Sequence, residues 1–343
     1  MIVIKIKENS QLHILYSANE NYVRHLAASL CSLCENNGEA EQICFHVISC
    51  GITEDSKAKI TSLAASYGRT VAFYELGDVQ DQISVKIDTR GFDTSILARL
   101  FIGSYLPKSV EKVLYLDCDT IVIDRITELF DIDLEGYVLA GVPEPVITKS
   151  RRPSLDMLPC DDYYNSGVLL FNLKEWRACD GEGRVLEYFA KNSGRLIAGD
   201  QDAINACFRG KIKTIPPKYN YASYNIYYPY RLLKKLAGES AYVSEDTYKE
   251  SKAHPAIIHY LGEERPWRQG NTHPYADRYQ QYLAMTEWRD VPDEQGWKLY
   301  FFCFRIFNFV TRPFPMLRYK IIDSLIPAFM RHRAKKLKKS KEK

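Results

Sequence analysis

Two aspartates separated by a single residue follow a short apolar stretch of the chain. Asp117 and Asp119 come directly after residues 113–116, which read Val-Leu-Tyr-Leu. In an extended chain both carboxylates point to one side and Cys118 to the other, and their like charges repel unless a cation neutralises them. Carboxylate oxygens suit Mg²⁺ or Mn²⁺, which often binds diphosphate oxygens as well. The alternative is a turn in which both side chains cap backbone N–H groups.

A histidine much later in the sequence could complete this metal site. His259 ends the apolar segment 256–258, so only the fold can bring it to the aspartates. Imidazole is a suitable third ligand for Mn²⁺. Beyond it, Gly262 would let the backbone approach a phosphate and Arg265 would neutralise the phosphate charge. The alternative is a core histidine that is hydrogen-bonded to a carbonyl group.

Two more segments carry carboxylates that could take part in a reaction. Residues 199–202 read Gly-Asp-Gln-Asp and have the pattern of a helix start. Asp200 is therefore either the N-cap of that helix or a functional carboxylate, and one residue could do both. Glu144, in the loop after Gly141-Val142-Pro143, is another candidate.

A tyrosine-rich segment is our candidate for a sugar-binding surface. It contains Tyr219, Tyr221, Tyr224, Tyr227, Tyr228 and Tyr230, together with three prolines. The prolines argue against a regular helix. Flat rings that also form hydrogen bonds suit sugar stacking, which predicts an acceptor cleft here. The alternative is a loop that its rings hold against the body of the protein.

These residues need a sheet to position them. Apolar runs predict strands at residues 12–17, 42–50, 70–76, 112–116, 167–173 and 256–261. Helical spacing predicts helices at 21–36, 54–67 and 94–106. Strands alternating with helices predict an α/β fold with a mostly parallel sheet flanked by helices. Right-handed crossovers then place ligands at the carboxyl ends of the strands, where Asp117 lies.

The charge of the chain is concentrated in its last residues. The 343 residues carry a net charge of +3, but residues 297–343 hold 13 Lys/Arg and 2 Asp/Glu, a net of +11. Within that region Lys298, Arg305, Asn308 and Arg312 fall on one helical face, and the other faces are aromatic or aliphatic. An amphipathic helix followed by a basic end is typical of a peripheral anchor on anionic lipid. The alternatives are a helix packed on the body with a free basic end, and nucleic acid binding, for which we see no recognition motif.

Composition and the N-terminal residues indicate a cytoplasmic globular protein. The 46% hydrophobic and 26% charged residues are ordinary values for a folded domain and exclude low-complexity disorder over most of the length. Residues 1–7 alternate apolar residues with lysine and lack the apolar stretch of a signal peptide. The nine cysteines show no even spacing, which fits a reducing compartment. For Cys31 and Cys34 core packing is favoured over a redox or metal role.

Six segments, in order along the chain, resemble glycosyltransferase family 8, which includes retaining bacterial lipopolysaccharide galactosyl- and glucosyltransferases and, more distantly, glycogenin. They are residues 14–22, 97–102, 113–120, 164–173, 199–202 and 259–262. The similarity covers residues 11–288. It implies a single catalytic domain over 11–288 with the GT-A type, Rossmann-like nucleotide-sugar fold. Residues 297–343 then form a separate amphipathic, basic membrane-association region, which places the protein on the inner face of the cytoplasmic membrane.

The resemblance also implies roles for individual residues. The metal ligands would be Asp117, Asp119 and His259, for Mn²⁺ or Mg²⁺. The uracil and ribose loop would be Ser17, Ala18, Asn19 and Asn21. The donor sugar and diphosphate would meet Arg99, Cys118, Asn165, Asp200, Gln201, Gly262 and Arg265, with Gln201 and Asp200 at the reaction centre.

Three positions depart from the family pattern. Asn19 stands where Asp is frequent, but its carbonyl can still accept from uracil N3–H. Arg265 stands where Lys is frequent, which keeps the charge and changes the geometry. Leu97 replaces a frequent Tyr.

The implied reaction transfers glucose or galactose from a UDP-sugar to a saccharide or membrane glycolipid, with retention at the anomeric carbon. We expect front-face attack, in which the leaving phosphate takes the acceptor proton; a covalent intermediate on Asp200 is the second choice. Rival interpretations are a haloacid-dehalogenase-type phosphatase, which also uses an Asp-x-Asp after a buried strand, and a non-catalytic membrane-tethered binder. Within the family, the rival is a glycogenin-like protein that glucosylates its own tyrosine.

Overall fold

The strands and helices belong to a computed structural model that describes residues 11–76, 94–147, 151–192, 196–240, 242–326 and 328. The strands are β1 Leu12–Ala18, β2 Ile43–Ser49, β3 Thr70–Glu75, β4 Lys112–Leu116, β5 Thr120–Val122, β6 Leu139–Pro143, β7 Tyr164–Asn172, β8 Ile212–Thr214, β9 Tyr221–Ala222 and β10 Ile257–His259. The α-helices are α1 Val23–Asn36, α2 Glu54–Ser66, α3 Ile102–Tyr105, α4 Thr127–Phe130, α5 Leu173–Ala178, α6 Gly181–Lys191, α7 Asp200–Cys207, α8 Ser223–Tyr227, α9 Tyr230–Ala237, α10 Glu245–Ala253, α11 Ala276–Leu283 and α12 Lys298–Thr311. Residues 315–326 are also helical. The 3₁₀ helices are Glu20–Tyr22, Thr94–Phe101, Arg152–Leu155 and Pro217–Asn220.

The larger sheet has the strand order β3-β2-β1-β4-β7-β6-β8. The pairs β1–β2, β2–β3, β1–β4 and β6–β8 are parallel, and only β7 runs against its neighbours β4 and β6. The predicted mostly parallel α/β sheet is therefore confirmed. A smaller sheet has the order β5-β10-β9, and its first strand, β5, follows β4 in the sequence.

Apolar cores cover both faces of the larger sheet. Along β1, Ile14 and Tyr16 pack in the core that includes α1 and α2, and Leu15 packs in the core that includes α5, α6 and α7. This alternation is the consequence of a strand whose side chains point to opposite faces. Both faces are buried, which explains why the strands read as continuous apolar runs in the sequence.

The predicted strands agree with the structure apart from their ends. The strand predicted at 167–173 begins earlier, at Tyr164, and ends at Asn172, because the Asn172 side chain accepts from the Glu175 N–H and starts α5. The helix predicted at 94–106 is mostly 3₁₀, with only Ile102–Tyr105 as α-helix. Cys31 and Cys34 are buried on α1, which fits the packing interpretation.

The tyrosine-rich segment forms no single regular helix, as predicted, but it is not an irregular loop either. A 3₁₀ turn, the short strand β9, and the helices α8 and α9 occupy it. Pro217 and Pro229 stand at helix starts, where proline removes no hydrogen bond that a helix needs. The rings of Tyr219, Tyr221, Tyr224 and Tyr228 are buried. Their burial fits the alternative, a segment that its rings hold against the body.

The C-terminal region contains α12 and the helical residues 315–326, whereas the basic residues 331–343 lie outside the described residues. Phe301 and Thr311 of α12 are buried, so one side of the helix packs on the body. The opposite side is exposed and apolar; we call it the apolar face, and it comprises Leu299, Phe302, Ile306, Phe309 and Val310. Of the four residues predicted to share one helical face, Lys298, Arg305 and Arg312 are exposed and Asn308 is half-buried. Among the described helices, none has the length and apolar content needed to cross a bilayer.

Candidate active site

The topology brings several predicted residues to one edge of the larger sheet. β1 and β4 are parallel, so Ser17, near the end of β1, and Asp117, directly after β4, lie at the same edge of the sheet. β7 runs in the opposite direction and therefore begins there, with Asn165 and Ser166. β6 pairs antiparallel with β7, so its carboxyl end and Glu144 lie at this edge as well.

The two aspartates form the turn between β4 and β5. The turn is closed by Thr120, whose N–H and hydroxyl both donate to the carbonyl oxygen of Asp117. The carboxylates are directed elsewhere: Asp117 lies 3.0 Å from Arg99, and Asp119 lies 3.3 Å from His259. Cys118 points to the other side, where it is buried and donates to the carbonyl of Ser17. The turn therefore presents two carboxylates that do not cap backbone groups.

β10 carries His259 to these carboxylates. It pairs with β5 so that His259 lies opposite Thr120. One ligand atom from each of Asp117, Asp119 and His259 lies within 4.8 Å of the others, the spacing of a possible metal site. Burial raises the pKa of Asp119, but the hydrogen bond and charge of His259 outweigh it and lower the pKa to about 2. A divalent cation bound here would replace the imidazole proton.

His259 is held by an asparagine that the sequence analysis did not single out. The Nδ1 of His259 lies 2.8 Å from Oδ1 of Asn220, and Nδ2 of Asn220 donates to Oδ1 of Asn165 at 2.9 Å. The side-chain NH₂ group of Asn220 donates to Asn165, so the Asn220 oxygen is the atom that faces the imidazole and accepts from Nδ1–H. The other ring nitrogen of His259, Nε2, is then left for the metal site. The signal for Asn220 was weak, since it lies in the tyrosine-rich segment that we assigned to the acceptor.

Close approach of β7 to the metal site requires a glycine. A Cβ atom on Gly167 would lie 2.2 Å from Cε1 of His259 and 2.8 Å from Oδ2 of Asp117. No side chain fits at either distance, so only glycine lets β7 lie this close to His259 and Asp117. The Gly167 carbonyl also accepts from the Asp117 N–H at 2.8 Å.

Arg99 is enclosed by carboxylates and is only 3% exposed. Its guanidinium lies 3.0 Å from both Asp117 and Asp200, donates to the carbonyl of Ser166 at 2.7 Å and stacks on the ring of Tyr115. Burial raises the pKa of Asp200 to about 6, against the charge of Arg99. Gly199, at φ 56°, is the N-cap of α7, so the N-cap alternative for Asp200 is wrong.

The amide of Gln201 is bonded at both ends. Its Oε1 accepts from the N–H of Ser166 at 3.0 Å and from Asn165 at 3.2 Å. Its Nε2 donates to Glu144 at 3.0 Å and to the hydroxyl of Tyr163 at 3.1 Å. Burial raises the pKa of Glu144, and the hydrogen bonds from Asn165 and Gln201 oppose that rise. This network fixes which end of the amide carries the oxygen.

Asp202 was part of the predicted motif but had no role assigned to it. It is fully buried and accepts from Arg151, from the hydroxyl of Tyr163 and from the backbone N–H groups of Ile197 and Ala198. Asp202 thus anchors the turn that precedes α7, and α7 presents Asp200 and Gln201 to the site.

The loop after β1 and the loop after β10 meet beside the aspartates. Arg265 donates to the hydroxyl of Tyr22 and lies 3.5 Å from Asp119. Asn19 has a buried Oδ1 for which the described residues supply no hydrogen-bond partner. Asn21 is exposed at the start of this loop, and Gly262 adopts φ 73° in the other. Arg265 can therefore neutralise an anion next to Asp119, and Asn19 can accept from a ligand.

Comparisons with known proteins show the family and the fold of the chain. The sequence model described as "Glycosyl transferase family 8" matches residues 13–270. General stress protein A of Bacillus subtilis (strain 168) is 26% identical over 289 residues, which are 83% of this chain and 98% of that protein. A lipopolysaccharide 1,2-glucosyltransferase of Escherichia coli is 25% identical over 301 residues, 86% of this chain and 84% of that protein. The crystal structure of galactosyltransferase LgtC with donor and acceptor sugar analogues matches with a TM-score of 0.68 and 25% identity, over 84% of this chain and 99% of that one.

Proposed function

Since the chain belongs to glycosyltransferase family 8, we propose that it is a metal-dependent retaining hexosyltransferase that moves glucose or galactose from a UDP-sugar to a saccharide acceptor. The observation that carries this proposal is the convergence of Asp117, Asp119 and His259 beside Arg265. Two carboxylates, one imidazole and a half-buried guanidinium suit a cation and a diphosphate at adjoining positions.

The three converging side chains would hold the cation, Mn²⁺ or Mg²⁺. Their fit rests on the short distances between their oxygen and nitrogen atoms and on Asn220, which keeps Nε2 of His259 free to bind. When bound, a divalent cation supplies Lewis-acid stabilisation to a departing diphosphate. Arg265 would add positive charge on the same side, and Gly262 would let the backbone approach the phosphates.

The loop after β1 would bind the nucleoside. Asn19 offers a buried carbonyl oxygen with no partner among the described residues, which suits uracil N3–H. Ser17, Ala18 and Asn21 line the same turn and would contact the base and ribose. Cys118 is buried beneath it and would support the turn rather than touch the donor.

The hydrogen bonds of Gln201 favour front-face transfer over attack by an enzyme group. Its Oε1 is already occupied by the Ser166 N–H, so the amide would position the donor sugar with Asn165 rather than act as a nucleophile. Asp200 is bound to Arg99, and a covalent intermediate on Asp200 would require breaking that ion pair. In the front-face reaction the acceptor oxygen bonds to the anomeric carbon, the carbon–phosphate oxygen bond breaks, and the acceptor proton passes to the leaving phosphate.

We propose a lipopolysaccharide core, another membrane glycolipid or a surface polysaccharide precursor as the acceptor. The similarity to a lipopolysaccharide 1,2-glucosyltransferase supports this class of acceptor. The apolar face of α12 supports it as well, since Phe309 is 82% exposed and Phe302 and Ile306 lie beside it. An exposed apolar helix face followed by a basic end would dock on the anionic inner face of the cytoplasmic membrane.

Release of UDP tests the proposed function. The protein is incubated with UDP-glucose or UDP-galactose, with Mn²⁺ or with a chelator, and Asp119→Ala serves as the control. We expect metal-dependent UDP release from one of the two donors and its loss in the variant, and that result would also name the sugar. UDP binding without release would mean that the acceptor is obligatory. Neither binding nor release, with hydrolysis of a generic phosphoester, would favour the phosphatase alternative.

A further inference from the structure

A buried arginine lies in the C-terminal helical residues 315–326. Arg318 is 3% exposed, although its neighbours Leu317 and Lys320 are exposed. Its guanidinium donates to the side chains of Asn308 and Thr311 on α12. Arg318 therefore joins the last helical residues to α12, and a cation that is buried needs partners that compensate for its lost hydration.

On its other side, Arg318 reaches toward the loop that follows β10. Its guanidinium carbon lies 4.4 Å from the centre of the Tyr227 ring. The hydroxyl of Tyr227 donates to Oε1 of Glu264 at 2.5 Å. Burial raises the pKa of Glu264, whereas the hydrogen bond from Tyr227 and the charge of Arg318 oppose that rise. Glu264 directly precedes Arg265, so a series of contacts connects the C-terminal helices to the residue beside Asp119.

Tyr319, the residue after Arg318, makes a second connection between the C-terminal helices and the body of the protein. The hydroxyl of Tyr319 donates to the carbonyl oxygen of Val146 at 3.3 Å, and its ring meets the ring of Tyr228 edge-on. Val146 lies two residues after Glu144, which accepts from Gln201. The C-terminal helices are thus connected to Arg265 through Tyr227 and Glu264, and to the segment that carries Glu144 through Val146.

We propose that Arg318 and Tyr319 are positioning residues of the active site. Arg318 acts through Tyr227 and Glu264 on Arg265, and Tyr319 acts through Val146 on Glu144. The nature of the ligands rests on the proposed function, whereas the positioning itself does not. A consequence is that the helices carrying the apolar face and the site that binds the donor form one connected unit.

The affinity for UDP separates positioning from simple packing. We would titrate UDP with Mn²⁺ into the full-length wild-type protein and the Arg318→Ala, Tyr319→Phe and Lys320→Ala variants by calorimetry. Arg318→Ala should weaken UDP binding by roughly 3- to 10-fold. Lys320→Ala removes the same charge from an exposed position of the same helical stretch and should bind UDP as the wild type does. Tyr319→Phe should slow UDP release from the UDP-sugar and leave UDP affinity unchanged, because it acts on the Glu144 side.

A role in packing alone would lower the melting temperature of Arg318→Ala without changing UDP affinity, and equal affinity would overturn the proposal. Should Arg318→Ala not fold, Tyr227→Phe removes only the hydroxyl that reaches Glu264 and should weaken UDP binding in the same way. Failure of the wild type to bind UDP would refute the proposed function instead. Hydrogen–deuterium exchange then decides the positioning: faster exchange of residues 261–268 in Arg318→Ala than in Lys320→Ala supports it, and equal exchange overturns it.

Discussion

At the scale of single residues, the imidazole of His259 is held from both sides. Asn220 accepts from its Nδ1, and Asp119 lies at its Nε2. Such outer contacts set the tautomer and the direction of a ligating ring. Asn220 is therefore as much a part of the candidate metal site as the ligands themselves.

Replacing Asn220 should weaken metal binding while the ligands stay in place. We expect Asn220→Ala to lower Mn²⁺ affinity by roughly 10- to 100-fold, since the ring of His259 loses the contact that orients it. Electron paramagnetic resonance of free Mn²⁺ measures this directly. Asn192→Ala is the control, because Asn192 is a buried residue at the end of α6 whose side chain donates to the carbonyl of Tyr188. Equal affinities in the two variants would show that Asn220 does not orient the ring.

A second substitution tests the close approach of β7. Gly167→Ala places a methyl group 2.2 Å from His259, so either the ring or the strand must shift. We expect a loss of stability of about 1–3 kcal/mol, as for other overpacked sites, and loss of Mn²⁺ binding. Gly38→Ala is the matched control, since a Cβ there has nothing within 4 Å. Unfolding in urea with and without Mn²⁺ measures both effects, and a Gly167→Ala protein that Mn²⁺ still stabilises would contradict the expectation.

The residues that could be predicted from the sequence were those with a chemical signature. Asp117, Asp119 and His259 are charged or ligating groups at the ends of apolar runs, and the fold brings them together. Asn220 could not be predicted, because an uncharged side chain that acts through its neighbours has no pattern of its own. Asp200 was ambiguous for a similar reason: the choice between cap and ion pair depended on Arg99, about a hundred residues earlier.

At the scale of elements, the six predicted strands form with their ends shifted by at most three residues, and so do the helices predicted at 21–36 and 54–67. Strands buried on both faces read as continuous apolar runs, and β4 was predicted to the residue. The segment 94–101 has helical spacing but forms a 3₁₀ helix, since apolar spacing does not distinguish the two closely related helices. In the tyrosine-rich segment the prolines do exclude one long helix, but the short helices were not predicted because the prolines stand at helix starts rather than inside helices.

The apolar face of α12 allows a test of membrane docking at this scale. Phe309 is 82% exposed, and burying a phenylalanine side chain in lipid is worth about 2 kcal/mol, or roughly 30-fold in affinity. We expect Phe309→Glu to reduce co-sedimentation with phosphatidylglycerol vesicles by at least that factor. Leu158→Glu introduces the same charge at an exposed apolar position outside the C-terminal region and should bind as the wild type does. Equal binding of all three proteins would refute the docking surface.

At the scale of the whole molecule, stability in acid should depend on buried neutral histidines. His46 and His273 are almost fully buried, and burial lowers the pKa of each to about 4, with a further contribution from His13 at His46. Their pKa in the unfolded chain is about 6.5. Between those values the unfolded chain takes up protons that the folded protein does not, so stability is fully present above pH 6.5 and is lost as the pH falls toward 4.

The loss can be assigned by comparing variants, because every other titrating group contributes equally to both proteins. Each of these two histidines accounts for at most about 3 kcal/mol of the free energy of unfolding between pH 6.5 and 4. His46→Gln and His273→Gln should therefore lose less stability over this interval than the wild type, even where they are less stable at pH 7. His254→Gln is the control, because His254 is exposed. Urea unfolding at a series of pH values gives the slopes, and parallel curves for wild type and His46→Gln would show that folding does not lower the pKa of His46. His259 acts in the opposite direction, since its aspartate neighbours raise its pKa and its protonation stabilises the fold as the pH falls. The measurement is therefore made with Mn²⁺ absent and then present, and only the contributions of the groups at the candidate metal site should change between the two series.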